Sequence, residues 1–424
     1  MGHDIGHDIG HDAIVIGAGP AGSSCAATLA AAGRSVVLLE RAQHPRFHIG
    51  ESLLPYGTPL LDQLGVLEEI TTGPFVHKPG AHVADTQGRQ IRAAFSDLPD
   101  GQVNYAFNVE RSAFDAVLSA AAARAGAEVV DDAEVAGVIW DGGRAVGITY
   151  RRGGQTHEAR TRFVVDASGR AGVVARDLKL RRMNPKLNNV AVFQQYLHPR
   201  HGVNLSDEGY IVFTSHADGW VWCIPLGPDK VSIGCVTPAG VLKGSQRQEL
   251  FQRHLARSPL IHASVADAVP VFDQLKVESD FCYHSEQLAG PGFFLVGDAG
   301  CFVDPLFSGG VLLGMTGGIK AAEAIDTMLS GADEVATAAW YENYCKTGYD
   351  MYFRLVYAFY YGCGGNIPAL FKFLPGGFEY VLQLVAGDFW GSTGGPVVSY
   401  LRSERAWDTF ERPFTLAGVP SGKP

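Results

Sequence analysis

The chain has 424 residues, 46% hydrophobic and 18% charged, which leaves room for two or three domains around a large core and excludes a disordered protein. A formal charge of −10 argues against nucleic acid as a bulk electrostatic partner, and no apolar run is long enough to span a bilayer. Seven scattered cysteines, none in a CxxC pair, and a start without the basic and apolar regions of a signal peptide lead us to expect a cytoplasmic protein with reduced thiols and no metal site.

Residues 2–12 repeat Gly-His-Asp-Ile, and residues 1–11 read as a flexible leader, with weak metal binding by His3, His7 and His11 as the other reading. Ala13–Ile16 then suits a buried strand, followed by Gly17-Ala18-Gly19-Pro20-Ala21-Gly22, a helix to Ala32, and a second strand ending on Glu40. In such a unit Gly17 permits the tight turn, Gly19 lets the backbone approach a pyrophosphate, and Gly22 lets helix and strand pack closely. The helix N-terminus offers free N–H groups to phosphate, and Glu40 stands where an acid accepts ribose hydroxyls. The chain is expected to bind a dinucleotide.

Arg46 to Pro55 reads as an irregular strap over a flat ligand or as a plain surface loop. Lys78 sits in a turn before Pro79, and Arg111 at the entry of a helix over Ser112–Ala125, where it either reaches a phosphate or is simply exposed. Glu128–Asp132, Val135–Asp141 and Ala145–Tyr150 read as a meander with a turn at Gly142-Gly143. Phe163–Val165 is another buried strand, running into Asp166-Ala167-Ser168-Gly169. Lys179, Arg181, Arg182 and Lys186 form either a solvated face or a dock for an acidic partner.

Alternating runs from Asn189 to Thr237 indicate a sheet, in which Trp220, Trp222 and Ile224 share one face; on physics alone the tryptophans are packing. A helix is expected over Gln246–Leu255. Phe293–Val296 leads to Asp298, placed to bond a ribityl hydroxyl, and Gly309 and Gly310 expose bare amides before a helix from about Leu312, a ready anion pocket. The aromatic-rich residues 336–424 read as a C-terminal helical cap.

Strands carrying GAGPAG, DASG and GDAG, with Arg111 between, resemble the para-hydroxybenzoate-hydroxylase-like flavoproteins over about residues 12–330. Within them, GESLLP at 50–55, Trp220-Val221-Trp222-Cys223-Ile224-Pro225 and DPLFSGGV at 304–311 resemble the flavin-dependent halogenases. The resemblance implies an α/β fold. Its Rossmann-like FAD domain would comprise residues 12–75, 105–185 and 278–335, a β-sheet substrate domain residues 76–104 and 186–277, and the helical cap the remainder.

It also implies FAD held by Gly17, Gly19, Ala21, Gly22, Glu40, Arg41, Arg111, Asp298 and Val311, with His48–Ser52 as the strap against the ring. Chloride or bromide would lie on the Gly309 and Gly310 amides. FADH2 from a separate reductase would react with O2 to a hydroperoxide, halide would attack its distal oxygen, and hypohalous acid would pass through a tunnel to Lys78, the family's essential lysine. Trp220 and Trp222 would wall flavin from substrate. Phe307 stands where the free-tryptophan members carry a glutamate, which implies an activated phenol or pyrrole, and the aromatic tail resembles that of members acting on carrier-protein thioesters. Competing readings are a flavin hydroxylase reduced by NAD(P)H, a reductase of the geranylgeranyl type, and a flavoprotein that serves only as a binding subunit.

Overall fold

A computed structural model describes residues 10–84, 90–200, 209–242, 247–279, 282–392 and 394–403. Most of the Gly-His-Asp-Ile leader lies outside the described residues, but His11 does not: it opens the first strand, His11–Ile16, with its ring 3.0 Å from the Ser35 hydroxyl. That strand is the centre of a parallel sheet. Val36–Leu39 and Glu128–Val130 lie on one side, Gln155–Asp166 and Phe293–Leu295 on the other, with Ala289–Gly290 added antiparallel at the edge. Residues such as Ile14, Val15, Val37, Leu38, Val164 and Phe294 are wholly buried, as strands covered on both faces require.

The meander expectation is corrected here. Glu128–Val130 pairs with Val36–Leu39 in the parallel sheet, so only Glu134–Asp141 and Arg144–Arg152 form a hairpin, which continues into Gln155–Asp166. The short apolar run 128–130 obeys the buried sheet rather than its neighbours in sequence. Gly142 and Gly143, both at positive φ, make the hairpin turn.

The helix Pro20–Ala31 crosses the helix Gly309–Leu329 so closely that a Cβ at Gly318 would lie 2.2 Å from the Ala21 carbonyl oxygen. This backbone contact is possible only with glycine and brings the starts of both helices to one cleft.

The second large sheet runs Val269–Pro270, Asn189–Leu197, Lys230–Pro238, Gly219–Gly227, Ile211–His216, Gly80–Ala84 and Gln90–Ala94. All neighbours are antiparallel except Ile211–His216 and Gly80–Ala84, a parallel pair that inserts an early segment into a late sheet. Trp222 lies across Gly234 on the paired strand, where an added Cβ would stand 2.2 Å from the indole. The cap comprises Glu334–Tyr357, N-capped by Asp333, a π-turn at Ala358–Gly362, and the helices Ile367–Phe373, Gly377–Val385 and Pro396–Arg402.

Gly234→Ala must displace the Trp222 ring. We expect a loss of about 1–3 kcal/mol in a denaturant titration with a shifted tryptophan emission; unchanged values would mean the indole has room to move.

Candidate active site

At the carboxyl ends of the parallel strands lies a cleft of about 370 Å3. Gly17, at φ +97°, turns the chain against the Ala167 carbonyl, and a Cβ at Gly22 would sit 1.9 Å from the Gly17 oxygen. Gly22 is thus a packing residue beneath the cleft, whereas Gly17, Gly19 and Ala21 line it. The helix Pro20–Ala31 has no side-chain cap, so its first amides are free for an anion.

The Glu40 carboxylate accepts from the amides of Ala18 at 3.0 Å and Ala42 at 3.2 Å and from Arg46 at 3.1 Å. Burial opposes its charge, but Arg46 and the two amides outweigh burial and hold it below the usual carboxylate range. Arg46 also donates to Asp115 at 3.0 Å. Asp115, wholly buried, holds Arg111 at 2.7 and 3.0 Å, and Arg111 donates to the Ile49 carbonyl at 2.7 Å. Two arginines and two carboxylates alternate in one clasp that ties the strap to the strand end and to the helix Arg111–Ala125. Arg46 and Asp115 were not foreseen, although Asp115 stands four residues beyond Arg111 on an expected helix, a spacing that puts both on one face.

Arg41, His48, Arg111, Asp298, Gly310 and Val311 also line the cleft. Burial pushes the Asp298 carboxyl up to about 6 against the pull of Arg111, Arg170 and Arg181, and its side chain has no hydrogen-bond partner among the described residues. Bare helix amides, a backbone cradle closed to any Cβ and an acid waiting for a hydroxyl fit a dinucleotide cofactor.

The residues assigned to the halide, the wall and the lysine lie outside this cleft, Gly310 excepted. The helix begins at Gly309 rather than near Leu312. The Gly309 amide is not bare: it points at the Tyr352 hydroxyl, 3.4 Å away. Phe307 and Ser308 before it hold left-handed φ of 60° and 59°, a conformation that bulky residues keep only when their surroundings enforce it. The enforcement comes from the cap. The Tyr352 hydroxyl lies 2.7 Å from the Asp304 carbonyl, and the Asp304 carboxylate meets Asn189 at 3.1 Å and Tyr360 at 3.2 Å. Tyr360 in turn accepts from the Trp220 indole at 2.8 Å. Trp220 stacks on Phe213, and Trp222 tilts against Phe193.

Lys78 ends the strand Val76–Lys78, which pairs with Ala106–Asn108. It is 2% exposed, its Nζ donates to the Leu53 carbonyl at 2.7 Å, and the ring of Phe95 lies 5.3 Å from it. Burial drives its pKa from 10.5 down to about 7. Ser52, from the strap, is bridged to Asn108 rather than facing the cleft. Of the basic cluster, Arg182 pairs with Glu286 at 2.9 Å and Arg181 lies over the Tyr283 ring, so the surface reading of those two is one of internal pairing. Among the described residues no helix is long and apolar enough to cross a membrane.

A family profile described as FAD binding domain matches residues 11–348. A tryptophan 2-halogenase of Chondromyces crocatus is 34% identical over 358 residues, spanning 82% of this chain and 67% of its own length. A sulochrin halogenase of Aspergillus terreus is 33% identical, spanning 81% and 68%. The solved myxobacterial chondrochloren halogenase CndH is 32% identical with TM-score 0.77, covering 83% of this chain and 82% of that one. The flavin-dependent brominase Bmp2 is 27% identical with TM-score 0.81, covering 95% and 100%.

The lysine makes a sign-specific prediction. Its folded pKa of about 7 lies below the ordinary 10.5, so between those values the unfolded chain binds more protons and stability rises with pH. Lys78→Met should remove that rise, up to about 1.4 kcal/mol per pH unit, in urea titrations at pH 7 and pH 9. An unaltered pH dependence would show that the amine keeps an ordinary pKa.

Proposed function

Because the chain belongs to the flavin-dependent halogenases, with FAD as its cofactor, we propose that it places chlorine or bromine on an electron-rich phenol or pyrrole through Lys78. FAD, reduced by a separate reductase, supplies with O2 and halide the electrophilic halogen. The chain's own work is to divide two environments. Glu40, Arg46, Asp115 and Arg111 hold the strap over the dinucleotide cleft. Lys78, outside that cleft, keeps an amine that is substantially uncharged near neutral pH.

The observation that carries this reading is the burial of that amine with one carbonyl partner, since only the uncharged nitrogen has a lone pair to receive halogen. A lysine there for fold alone would be ionised and paired with a carboxylate. Phe307, edge-on to Phe359, brings no base to the ring, which favours substrates activated enough to lose their proton without help. The aromatic cap is consistent with a ring delivered on a carrier protein's thioester.

Lys78→Ala is expected to bind FAD and consume FADH2 and O2 normally while halogenated product falls by at least about 100-fold. In the unaltered enzyme, single-turnover halogenation should rise with pH through about 7. Normal product from the variant would refute the role of the lysine. Turnover of a free acid against its carrier thioester, followed by product mass, tests the delivery; efficient halogenation of the free acid alone removes the carrier.

A further inference from the structure

The register around Lys78 builds a small two-stranded patch with a third segment bridged to it. Val76–Lys78 pairs antiparallel with Ala106–Asn108, Lys78 opposite Ala106 and Val76 opposite Asn108. On the other edge, Ser52 is bridged antiparallel to Asn108, and the Leu53 amide donates to the Phe107 carbonyl. Opposite residues, and those two along a strand, share a face. Ser52, Asn108, Ala106 and Lys78 therefore stand on one side of the patch, in a line from the end of the strap to the amine. Lys78, paired with Ala106, reaches the Leu53 carbonyl on the bridged segment beyond it.

Three buried polar side chains on one face of so small a patch need a reason, because an unpaired polar atom there loses its water without gaining a partner. Ser52 is 4% exposed and Asn108 0%, yet the Ser52 hydroxyl and the Asn108 Oδ1 have no hydrogen-bond partner among the described residues. The Asn108 amide group is not loose: its Nδ2 donates to the Gly209 carbonyl at 3.0 Å, which leaves Oδ1 as a fixed acceptor. An acceptor, a hydroxyl that both donates and accepts, and a buried amine make a receptor for a small neutral molecule with one O–H.

We propose that Asn108 and Ser52 seat hypohalous acid beside Lys78, an inference that rests on the role of the lysine given above. The O–H of the acid donates to Asn108 Oδ1, and Ser52 completes the seat. The lysine nitrogen attacks the halogen; the N–halogen bond forms as the halogen–oxygen bond breaks with its electron pair going to oxygen. Oxygen takes up the proton that the nitrogen sheds and leaves as water. Hypohalite anion, with no proton to give Oδ1, is refused.

The test uses the full-length enzyme with FAD, a flavin reductase and chloride, without aromatic substrate. Peptide mass spectrometry reads the N-chloro adduct on Lys78, and monochlorodimedone in solution traps hypochlorous acid that escapes. Asn108→Leu and Ser52→Ala should each lower the ratio of adduct to trapped chlorine by about tenfold, the effect of one lost hydrogen bond. Because the Ser52 oxygen has no partner, its removal should leave the melting temperature unchanged or higher, so Ser52→Ala decides the matter even if Asn108→Leu folds poorly. Ratios within twofold of the unaltered enzyme overturn the seat alone. Absence of any adduct on Lys78 in the unaltered enzyme overturns the lysine reading together with it.

Discussion

An ammonium ion in an apolar interior must be paired, hydrated or discharged, and among the described residues Lys78 is given only a carbonyl and the face of a phenyl ring. That shortage of partners is the constraint on which the lysine half of the molecule depends. Supplying a carboxylate would stabilise the fold and keep the nitrogen protonated. The chain instead closes the site with Leu53, Phe95 and Ala106, and accepts a lysine whose charge is marginal at neutral pH.

The clasp that holds the strap over the cofactor cleft follows the opposite rule, with its charges buried and paired. Asp115 has two arginines, Arg46 two carboxylates, and Glu40 an arginine and two backbone amides. Such a closed set tolerates burial because every charge is answered within hydrogen-bonding distance. It also ties the strap down where it leaves the cleft, and the strap's last residues are bridged to the patch that carries Lys78.

What could be read from the sequence was what sterics dictate over a short span. Gly17, Gly19 and Gly22 declare a tight turn, an approach and a packing contact because each requires the absence of a side chain within one turn of chain. Asn108 could not be read: its meaning comes from a register that sets it opposite both Ser52 and Val76. The support of the Phe307–Ser308 turn by Tyr352 was equally hidden, since that tyrosine is more than forty residues away and looks like any aromatic on a helix. Glu128–Val130 misled for the reverse reason, a run too short to reveal whether it belonged to a hairpin or a buried sheet.

The division between the two halves is not the division that the chain's sequence relatedness draws. The stretch matching the FAD-binding family stops at residue 348, four residues short of Tyr352 and a dozen short of Tyr360. Yet those two phenols brace the loop at the mouth of the long helix and join it to the tryptophan strand. A fragment ending where the family match ends would lose the buttress of the Phe307–Ser308 turn. An exchange of the C-terminal region would accordingly have to carry both tyrosines along, so that the cap and the left-handed turn before the long helix are inherited as one module.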